Sequence, residues 1–306
     1  MSGHDRREEL RAQFESTRAQ FEATSARIEQ RAGRNLFVAI GTGVLFGAIF
    51  VGSLFFVEQL FVLFIAALLS ISSVELAGAF RVAGRRVPRV GVVIGGLLIV
   101  LGAALWGAAG MLAGLFAGSL VLTVWRLVEG LVPRWGVPPK TLLRDVVSGL
   151  FSLVYIPFLG SYTILLAQGE RGEWWVFAMV LVVVSVDVGA YAAGVAFGRH
   201  KMTPRISPNK TWEGFAGAAV LSTLSGVLIA VFALGQPWWI GAILGLVILV
   251  TATGGDLTES LIKRNLGVKD MSTWIPGHGG FLDRLDSLLP SSVAAYGVAL
   301  AAGVLS

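Results

Sequence analysis

The sequence of 306 residues contains no cysteine and just three histidines, His4, His200 and His278. Without cysteine, neither a disulfide nor a thiolate metal site can form, and the three scattered histidines do not make a zinc site. Charged residues are also scarce, at 14%, whereas hydrophobic residues make up 55% of the chain and the mean hydropathy is +0.76. This composition predicts a polytopic membrane protein and not a soluble domain.

The basic residues give a net charge of +5, but they are not spread over one surface as in a nucleic-acid-binding protein. Seven of the 24 precede the first apolar run, and four lie in each of the blocks 81–89, 126–144, 199–210 and 263–284. Positive charge concentrated between apolar segments is typical of the cytoplasmic side of a membrane protein. The sequence therefore predicts the lipid bilayer as a partner and excludes nucleic acid.

The apolar segments predict an all-α fold of about nine transmembrane helices, with a cytoplasmic N-terminus and an outside C-terminus. Their approximate bounds are 35–53, 57–80, 90–106, 108–127, 142–167, 174–198, 212–234, 238–263 and 280–305. This count puts all five basic regions inside, as the charge distribution requires. No cleavable signal peptide is expected, since the first apolar run is long enough to span. The predicted location is the cell (inner) membrane.

Three regions follow from this division. Residues 1–34 contain a seven-residue repeat that brings Leu10, Phe14, Phe21 and Ile28 into one apolar stripe. They form either a cytoplasmic amphipathic helix or a solvated tail. Residues 35–170 are expected to serve helix packing and possible homodimerisation, and residues 171–306 hold the charged motifs.

Three features of the predicted helices carry further expectations. Gly110, Gly114 and Gly118 recur every four residues, which predicts close helix packing within the fold or in a dimer. Pro157 predicts a kink in the fifth span. In the sixth span Asp187 lies near the middle, where an isolated carboxylate is costly, so we expect it to face a polar cavity together with Tyr191.

A dense cluster of charge occupies residues 256–286, between the last two apolar segments. Asp256, Ser260, Lys263 and Arg264 fall on one face if the preceding helix continues. Asp283 and Asp286, three residues apart, share a face of the next helix, whose N–H groups would point at an anion after Gly280. Carboxylates and bases on facing helices suit a divalent cation and phosphate oxygens.

A second polar segment lies in the loop 199–214. Ser207 and Thr211 offer hydroxyl groups there, and Lys210 offers a positive charge for a phosphate. Glu213 follows at the start of the next apolar run.

These residues carry a resemblance to a known family. The pattern Ser260-x-x-Lys263-Arg264-x4-Lys269-Asp270, followed by His278-Gly279-Gly280-x-x-Asp283-Arg284-x-Asp286, resembles the signature of the phosphatidate cytidylyltransferases (CDP-diacylglycerol synthases) without a departure. The segment Ser207-Pro-x-Lys210-Thr211-x-Glu213-Gly is similar to a second, shorter motif of that family. The resemblance covers residues 187–286. The first half of the chain resembles the family only because it too is a bundle of membrane helices.

The resemblance implies a reaction in which CTP and phosphatidic acid give CDP-diacylglycerol and pyrophosphate. It implies Asp256 and Asp283 as ligands of Mg²⁺, with room for a second cation. The expected catalytic bases neutralise the triphosphate and the lipid phosphate; they are Lys263, Arg264, Lys269 and Arg284. The expected substrate-binding residues are Asp187, Ser207, Lys210, Thr211, Glu213, Ser260, His278, Gly279, Gly280 and Asp286. A phosphate monoester is already anionic at neutral pH, so no strong general base is needed.

Two other classes of function remain open at this stage. Asp187, Asp256 and Asp283 could form the route of a transporter or ion pathway. Another CTP-using lipid enzyme, such as a polyprenol kinase or an archaeal-type lipid cytidylyltransferase, would use similar groups. The clustering of charge at one membrane face favours an enzyme over a transporter.

Overall fold

The computed structural model describes residues 36–131, 138–204, 206–272 and 279–305, with side chains from residue 41 onwards. Residues 1–34, for which an amphipathic helix or a solvated tail is predicted, and His278 lie outside this part of the chain. Most of the described residues are helical, because in an apolar solvent a helix satisfies its own backbone hydrogen bonds. In chain order the elements are α1 (Leu36–Phe56), α2 (Glu58–Val82), α3 (Arg89–Leu131), α4 (Pro139–Leu153), α5 (Leu159–Ala167), α6 (Gly172–Phe197), β1 (Lys201–Thr203), β2 (Ser207–Thr211), α7 (Trp212–Ile229), α8 (Trp238–Leu266), α9 (Leu282–Leu285) and α10 (Leu288–Ala301).

Six helical segments of the described chain are long and apolar enough to cross a membrane. They are Glu58–Val82, Arg89–Leu131, Pro139–Ala167, Gly172–Phe197, Trp212–Leu234 and Trp238–Leu266. The predicted class, a helical membrane protein, is confirmed. The count of nine stays a prediction, because the 14-residue α10 is shorter than the roughly 17 residues that a span needs, and the side chains of the 21-residue α1 are described only from Gly41.

Helix α3 has 43 residues but turns back on itself. Trp106 (φ −133°) and Gly107 (φ +62°) leave the helical conformation, and the arms on either side form an antiparallel pair. A Cβ at Gly110 would clash with the carbonyl oxygen of Gly102, and one at Gly114 would clash with that of Leu98. The small-residue face therefore packs within the fold, as one of the two predicted possibilities, and the turn falls between the predicted spans 90–106 and 108–127.

The fifth predicted span changes helix type at its proline. Residues Val154–Phe158 form a π-helical segment that contains Pro157 and joins α4 to α5. Proline lacks the backbone N–H and its ring crowds the preceding turn, so the α-helical hydrogen bonding cannot continue unchanged. The predicted irregularity at Pro157 is confirmed.

Two local expectations need correction. The loop after α6 contains a two-stranded antiparallel hairpin in which Lys201 pairs with Thr211 and Thr203 with Ser207, so the fold is not purely helical. The last predicted span is not one helix from residue 280, because the four-residue α9 and a turn at Asp286 and Ser287 precede α10. Glycine near the predicted start allows a close loop there instead of a regular helix.

The site is built by the C-terminal half of the bundle. Helix α7 packs against α6 and α8, and α10 packs against α5 and α8. The hairpin β1–β2 and the C-terminal end of α8 lie at the same end of the bundle, because the hairpin follows α6 and because α6 and α8 run in the same direction. Both charged motifs therefore meet at one end of the bundle.

Candidate active site

Helix α8 carries the first charged motif on its last three turns. It runs to Leu266 and ends at Gly267, whose φ of +72° closes the helix after Lys263 and Arg264. The Ser260 hydroxyl donates to Asp256 Oδ1 over 3.4 Å, as the four-residue spacing predicts. The continuation of the helix through this motif is confirmed.

A polar cavity of about 290 Å³ opens between α6, the hairpin, α7 and α8. Asp187 and Tyr191 line it from α6, and Asp256 lines it from α8. The second motif contributes Ser207, Lys210 and Thr211 to the same cavity. The expectation that Asp187 faces a polar cavity with Tyr191 is met, and five of the six residues just named are predicted site residues.

Lys210 links the two motifs across this polar cavity. Its Nζ lies 2.5 Å from Asp256 Oδ2, and both side chains keep partial access to solvent, at 24% and 38% exposure. An ion pair at the wall of a half-open cavity can exchange partners with an incoming anion and cation, since solvent offsets part of the separation cost. Thr211 instead fixes the backbone, because its Oγ1 accepts from the Gly214 N–H and caps α7.

Lys263 forms a second charged centre, about two turns further along α8 than Asp256. Its Nζ lies 2.8 Å from Glu259 Oε2 and donates to Asp283 Oδ1 over 2.9 Å. Glu259 is 1% exposed and Asp283 9% exposed, so both carboxylates are buried beside one ammonium group. Lys263 lies seven residues after Asp256, which corresponds to about 10 Å along the helix axis.

Asp283 also organises the glycine-containing loop in front of it. Its Oδ2 accepts from the Gly280 N–H over 2.8 Å and from the Met271 N–H over 3.3 Å. Burial alone raises the pKa of the Asp283 carboxyl, but hydrogen bonds from the Glu259 carboxyl, Lys263 and the Gly280 N–H hold that pKa below its usual value.

Glu75, a residue of α2, completes this loop from the N-terminal half of the chain. Its carboxylate is buried and accepts from the Phe281 N–H over 3.0 Å and from the Leu282 N–H over 2.8 Å, and it also accepts from the Ser272 hydroxyl. The backbone N–H groups that were expected to face a bound anion thus face the carboxylate of Glu75. A Cβ at Gly280 would approach Glu75 Oε2 to 2.9 Å, so this close contact needs glycine.

The remaining predicted residues are not all in the polar cavity. Arg264 Nε donates to the Ile206 carbonyl over 2.6 Å and joins α8 to the hairpin. Glu213 pairs with His200 Nδ1 over 2.6 Å and accepts from the backbone N–H of Arg199, so it closes the hairpin from outside the cavity lining. Lys269 is exposed, and no hydrogen bond or ion pair connects it with another residue of the described ranges.

The signature contains one further acid, Asp286, which follows α9, and one further arginine, Arg284, which lies in α9. Asp286 is buried, and its Oδ1 accepts from the Ser287 N–H over 2.6 Å. Burial and the charge of Asp256 raise the pKa of Asp286 above its usual value. Arg284 lines a second, apolar cavity of about 440 Å³ that is enclosed by α1, α2, α5 and α6 together with the segment 281–289.

The positions of these carboxylates show which of them could bind a divalent cation. No group of three or more Asp, Glu, His or Cys side chains arranged for a metal occurs in the described part of the chain. Asp256 fits a ligand, because its carboxylate opens on the polar cavity together with Asp187, and Mg²⁺ takes one or two carboxylates plus phosphate oxygens. Asp283 fits less well, because both its oxygens already accept from protein donors.

Sequence reasoning missed two acids that hold this site together, Glu75 and Glu259. Each is a carboxylate inside an apolar helix, and this signal alone marks a position for a functional or structural partner. The pairing of Glu259 with Lys263, four residues later on the same helix, follows a helical spacing, whereas the partners of Glu75 could not be inferred. The contacts from Glu75 to Phe281 and Leu282 span more than 200 residues of sequence.

Fold and site together define a multi-pass membrane protein in which two charged motifs meet at one end of a helix bundle. The model of a family described as "Cytidylyltransferase family" matches residues 37–301. A Mycobacterium leprae protein named "Phosphatidate cytidylyltransferase" is 41% identical over 274 residues, which cover 87% of this chain and 88% of that protein. One of the same name from Mycobacterium tuberculosis is 42% identical over 271 residues, covering 87% and 83%. A Brucella suis protein of that name is 36% identical over 193 residues, covering 61% and 68%. The chain belongs to the cytidylyltransferase family and is a nucleotidyltransferase.

Proposed function

We propose that this protein transfers CMP from CTP to phosphatidic acid and releases pyrophosphate. The observation that carries the proposal is the polar cavity in which Lys210 of one motif pairs with Asp256 of the other. The family match and the printed names of the relatives support the same substrates. The product would be CDP-diacylglycerol.

The chemistry needs charge neutralisation more than proton transfer. A phosphate oxygen of phosphatidic acid attacks the α-phosphorus of CTP, and the bond from that phosphorus to the oxygen bridging to the β-phosphate breaks. The electron pair of that bond leaves with pyrophosphate. Since the nucleophile is already an anion, the barrier lies in bringing two polyanions together and in stabilising the leaving group.

Lys210 lines the polar cavity from the hairpin, and Arg264 contacts the hairpin from α8. We therefore assign both residues to binding of the triphosphate. Lys263 keeps Asp283 ionised and in place, and Lys269, exposed beyond the end of α8, is available to the leaving pyrophosphate. A divalent cation held by Asp256 and Asp283 would neutralise phosphate oxygens of both substrates. Asp283 would then exchange a present donor, such as Lys263, for the cation.

The apolar cavity gives the lipid a place next to these charges. Phe46 and Phe50 of α1, Leu69 of α2 and Met179 of α6 line it, and Arg284 lies at its charged end. An acyl chain in this cavity would put its phosphate near Arg284 and Asp283, which are adjacent in sequence. We therefore assign Arg284 to the phosphate of the lipid substrate.

The proposed topology follows from the same charges. Nine spans, counting the two arms of α3, α1 and α10, would put the N-terminus and all basic loops in the cytoplasm, where CTP is available. The enzyme would then lie in the cell (inner) membrane with its active site facing inward. Homodimer formation stays a prediction.

The test follows the label of CTP into the lipid. Purified protein in detergent is given phosphatidic acid, Mg²⁺ and CTP labelled at either the α- or the γ-phosphorus. We expect α-label in a chloroform-soluble product and γ-label in pyrophosphate. Recovery of γ-label in the lipid would identify a kinase instead, and substrate uptake into proteoliposomes without CTP would identify a transporter.

A further inference from the structure

A third cavity, of about 520 Å³, lies in the N-terminal half of the bundle, away from both charged motifs. Among the described residues it is lined by Arg81, Gly84, Arg85, Arg86 and Glu129, and we call it the arginine pocket. We propose that the arginine pocket binds a phosphate group, supplied either by an anionic phospholipid or by a soluble phosphate compound. This site would be separate from the candidate active site.

The arginine pocket lies at the same end of the bundle as the charged motifs. It is formed where α2 ends, at Val82, and where the second arm of α3 ends, at Leu131. Since successive helices alternate in direction, these ends lie on the same side as the hairpin and the C-terminal end of α8. A phosphate at the surface of that leaflet, or in the solution next to it, can reach the pocket.

The pocket is held in shape by contacts of its own. Arg85 Nη1 donates to Ser148 Oγ over 3.2 Å, and the Arg85 guanidinium lies 5.5 Å from the centre of the Phe80 ring. Arg144 Nη2 donates to the Gly84 carbonyl over 2.7 Å and fixes the turn between the arginines. The Arg85 guanidinium is thus fixed and would lose little freedom on binding an anion, and the planar donors of all three arginines match phosphate oxygens.

The carboxylates nearby do not balance this charge. Asp145 is fully buried, and it accepts from the Arg126 side chain over 2.8 Å and from the Arg86 backbone N–H over 3.0 Å. Glu129 accepts from Trp125 Nε1 over 3.0 Å. The described lining therefore contains three arginines and one acid that already has a donor, which gives the pocket excess positive charge.

A buried hydrogen-bond donor beside the pocket also supports an anion site. Arg126 is fully buried, and its Nη1 has no hydrogen-bond acceptor in the described part of the chain. Glu129 Oε2 lies 3.8 Å from this Nη1, and Glu129 lines the pocket. A buried N–H without an acceptor is unfavourable, and a phosphate oxygen entering beside Glu129 would supply one.

Membrane orientation alone does not account for this arrangement. The positive-inside pattern needs basic residues on one side, but it does not need three arginines to line one cavity. Scattered and exposed bases such as Lys140, which starts α4 on the same side, serve orientation equally well.

The test compares the double variant Arg81→Gln/Arg86→Gln with Lys140→Gln, in the full chain purified in detergent. Native mass spectrometry counts bound dioleoyl-phosphatidylglycerol, with dioleoyl-phosphatidylcholine as the zwitterionic control, and a parallel titration uses inorganic phosphate. We expect about 10-fold weaker binding in the double variant and less than twofold change in Lys140→Gln. Binding of phosphatidylglycerol identifies a lipid source, and binding of inorganic phosphate alone identifies a soluble one.

The proposal is overturned if neither probe binds, or if binding is the same in the double variant as in the unmodified protein. Thermal unfolding in detergent shows whether the variant is folded. Should it not fold, Arg81→Lys/Arg86→Lys keeps the charge and the membrane orientation but removes the forked donors. We then expect at least about threefold weaker binding, and unchanged binding would contradict the proposal. CTP turnover is not the readout, so failure here leaves the proposed reaction untouched.

Discussion

Individual charged residues of this protein are stabilised by partners far away in sequence. Lys210 pairs with Asp256, Lys263 with Asp283, and Glu75 with the backbone of residues 281 and 282. A buried charge is tolerated when it is paired and hydrogen-bonded, so the contacts of Asp283 and Glu75 fix the loop before α9 against α8 and α2. The partly exposed pair of Lys210 and Asp256 connects the hairpin with α8. The site is thus held together by the same groups that give it its charge.

Glu75→Ala should destabilise the protein. The substitution leaves the Phe281 and Leu282 N–H groups without their acceptor, at a cost of about 3 kcal/mol in the free energy of unfolding. Glu58→Ala, at the exposed start of the same helix, should have little effect. Thermal unfolding in detergent measures both, and equal transition temperatures for the two variants would show that the Glu75 contacts carry no stability.

Lys210→Ala should raise the KM for CTP or phosphatidic acid by about 10-fold, because an anionic substrate loses a charge-assisted contact in the polar cavity. Lys201→Ala removes the same charge from an exposed position of the same hairpin and should leave KM within twofold. Initial rates at varied CTP and at varied phosphatidic acid separate the two substrates. If neither KM rises in Lys210→Ala, the hairpin does not bind substrate.

Sequence spacing predicted the residues that share one helix, and could not predict those that meet from different helices. The contact between Ser260 and Asp256 follows from a four-residue spacing. The contact between Glu75 and the loop before α9 depends on how α2 packs against the C-terminal half. No local pattern contains that information, although an acid within an apolar helix does show that a partner must exist.

At the level of elements, α1 has a different role from the other helices. It packs against α2 and contributes Thr42, Gly43, Phe46, Gly47 and Phe50 to the wall of the apolar cavity. Phe46 also meets Phe281 edge to face, with ring centres 5.6 Å apart. Helix α1 therefore connects the apolar cavity with Phe281, which directly precedes α9 and its Asp283.

Filling the apolar cavity from α1 should affect long lipids more than short ones. A Cβ at Gly47 meets nothing within 4 Å, so Gly47→Leu can be accommodated while it occupies cavity volume. We expect the KM for dioleoyl phosphatidic acid to rise by about fivefold or more, and that for dihexanoyl phosphatidic acid to stay unchanged, because each excluded methylene loses about 0.8 kcal/mol of burial.

Gly52→Leu is the matched control, since it lies on the same helix, also has open space, and is outside the cavity lining. It should leave both KM values unchanged. An equal effect of Gly47→Leu on short and long lipids would show that the acyl chain lies elsewhere.

Apolar stretches predicted most of the helices, and local chemistry explains the exceptions. Gly107, with its positive φ, marks the turn inside α3, which the sequence placed correctly between two short spans. The hairpin β1–β2 has no alternating apolar pattern, because its strands are held by turn contacts and by Arg264. The interrupted start of α10 reflects hydrogen bonds of Asp283 and Glu75 that a helical pattern does not reveal.

For the whole molecule, the decisive property is the gathering of charge at one end of an apolar bundle. The basic blocks, the polar cavity and the arginine pocket all lie at the ends of helices that point the same way. Such a distribution sets the orientation in the membrane and brings water-soluble and lipid substrates to a common boundary. The clustering of the basic residues was predictable, because their positions between apolar segments can be read from the sequence without knowledge of the tertiary structure.

The orientation can be tested with single cysteines, since the natural sequence has none. Lys201→Cys lies on the basic side and Glu170→Cys on the opposite side, and both positions are exposed. A membrane-impermeant maleimide added to intact cells should label Glu170→Cys and not Lys201→Cys, and lysis should make both reactive. Labelling of Lys201→Cys in intact cells would reverse the proposed topology.

The central claim is that CTP reacts where Asp256 faces the polar cavity, and its most direct test is the turnover of Asp256→Asn. The purified variant is compared with Glu170→Gln on the opposite side, in an assay of α-labelled CMP incorporation into phosphatidic acid at saturating substrates. We predict that kcat of Asp256→Asn falls by about 100-fold or more at an unchanged unfolding temperature, while Glu170→Gln retains full activity. Near-normal turnover of folded Asp256→Asn would contradict the account.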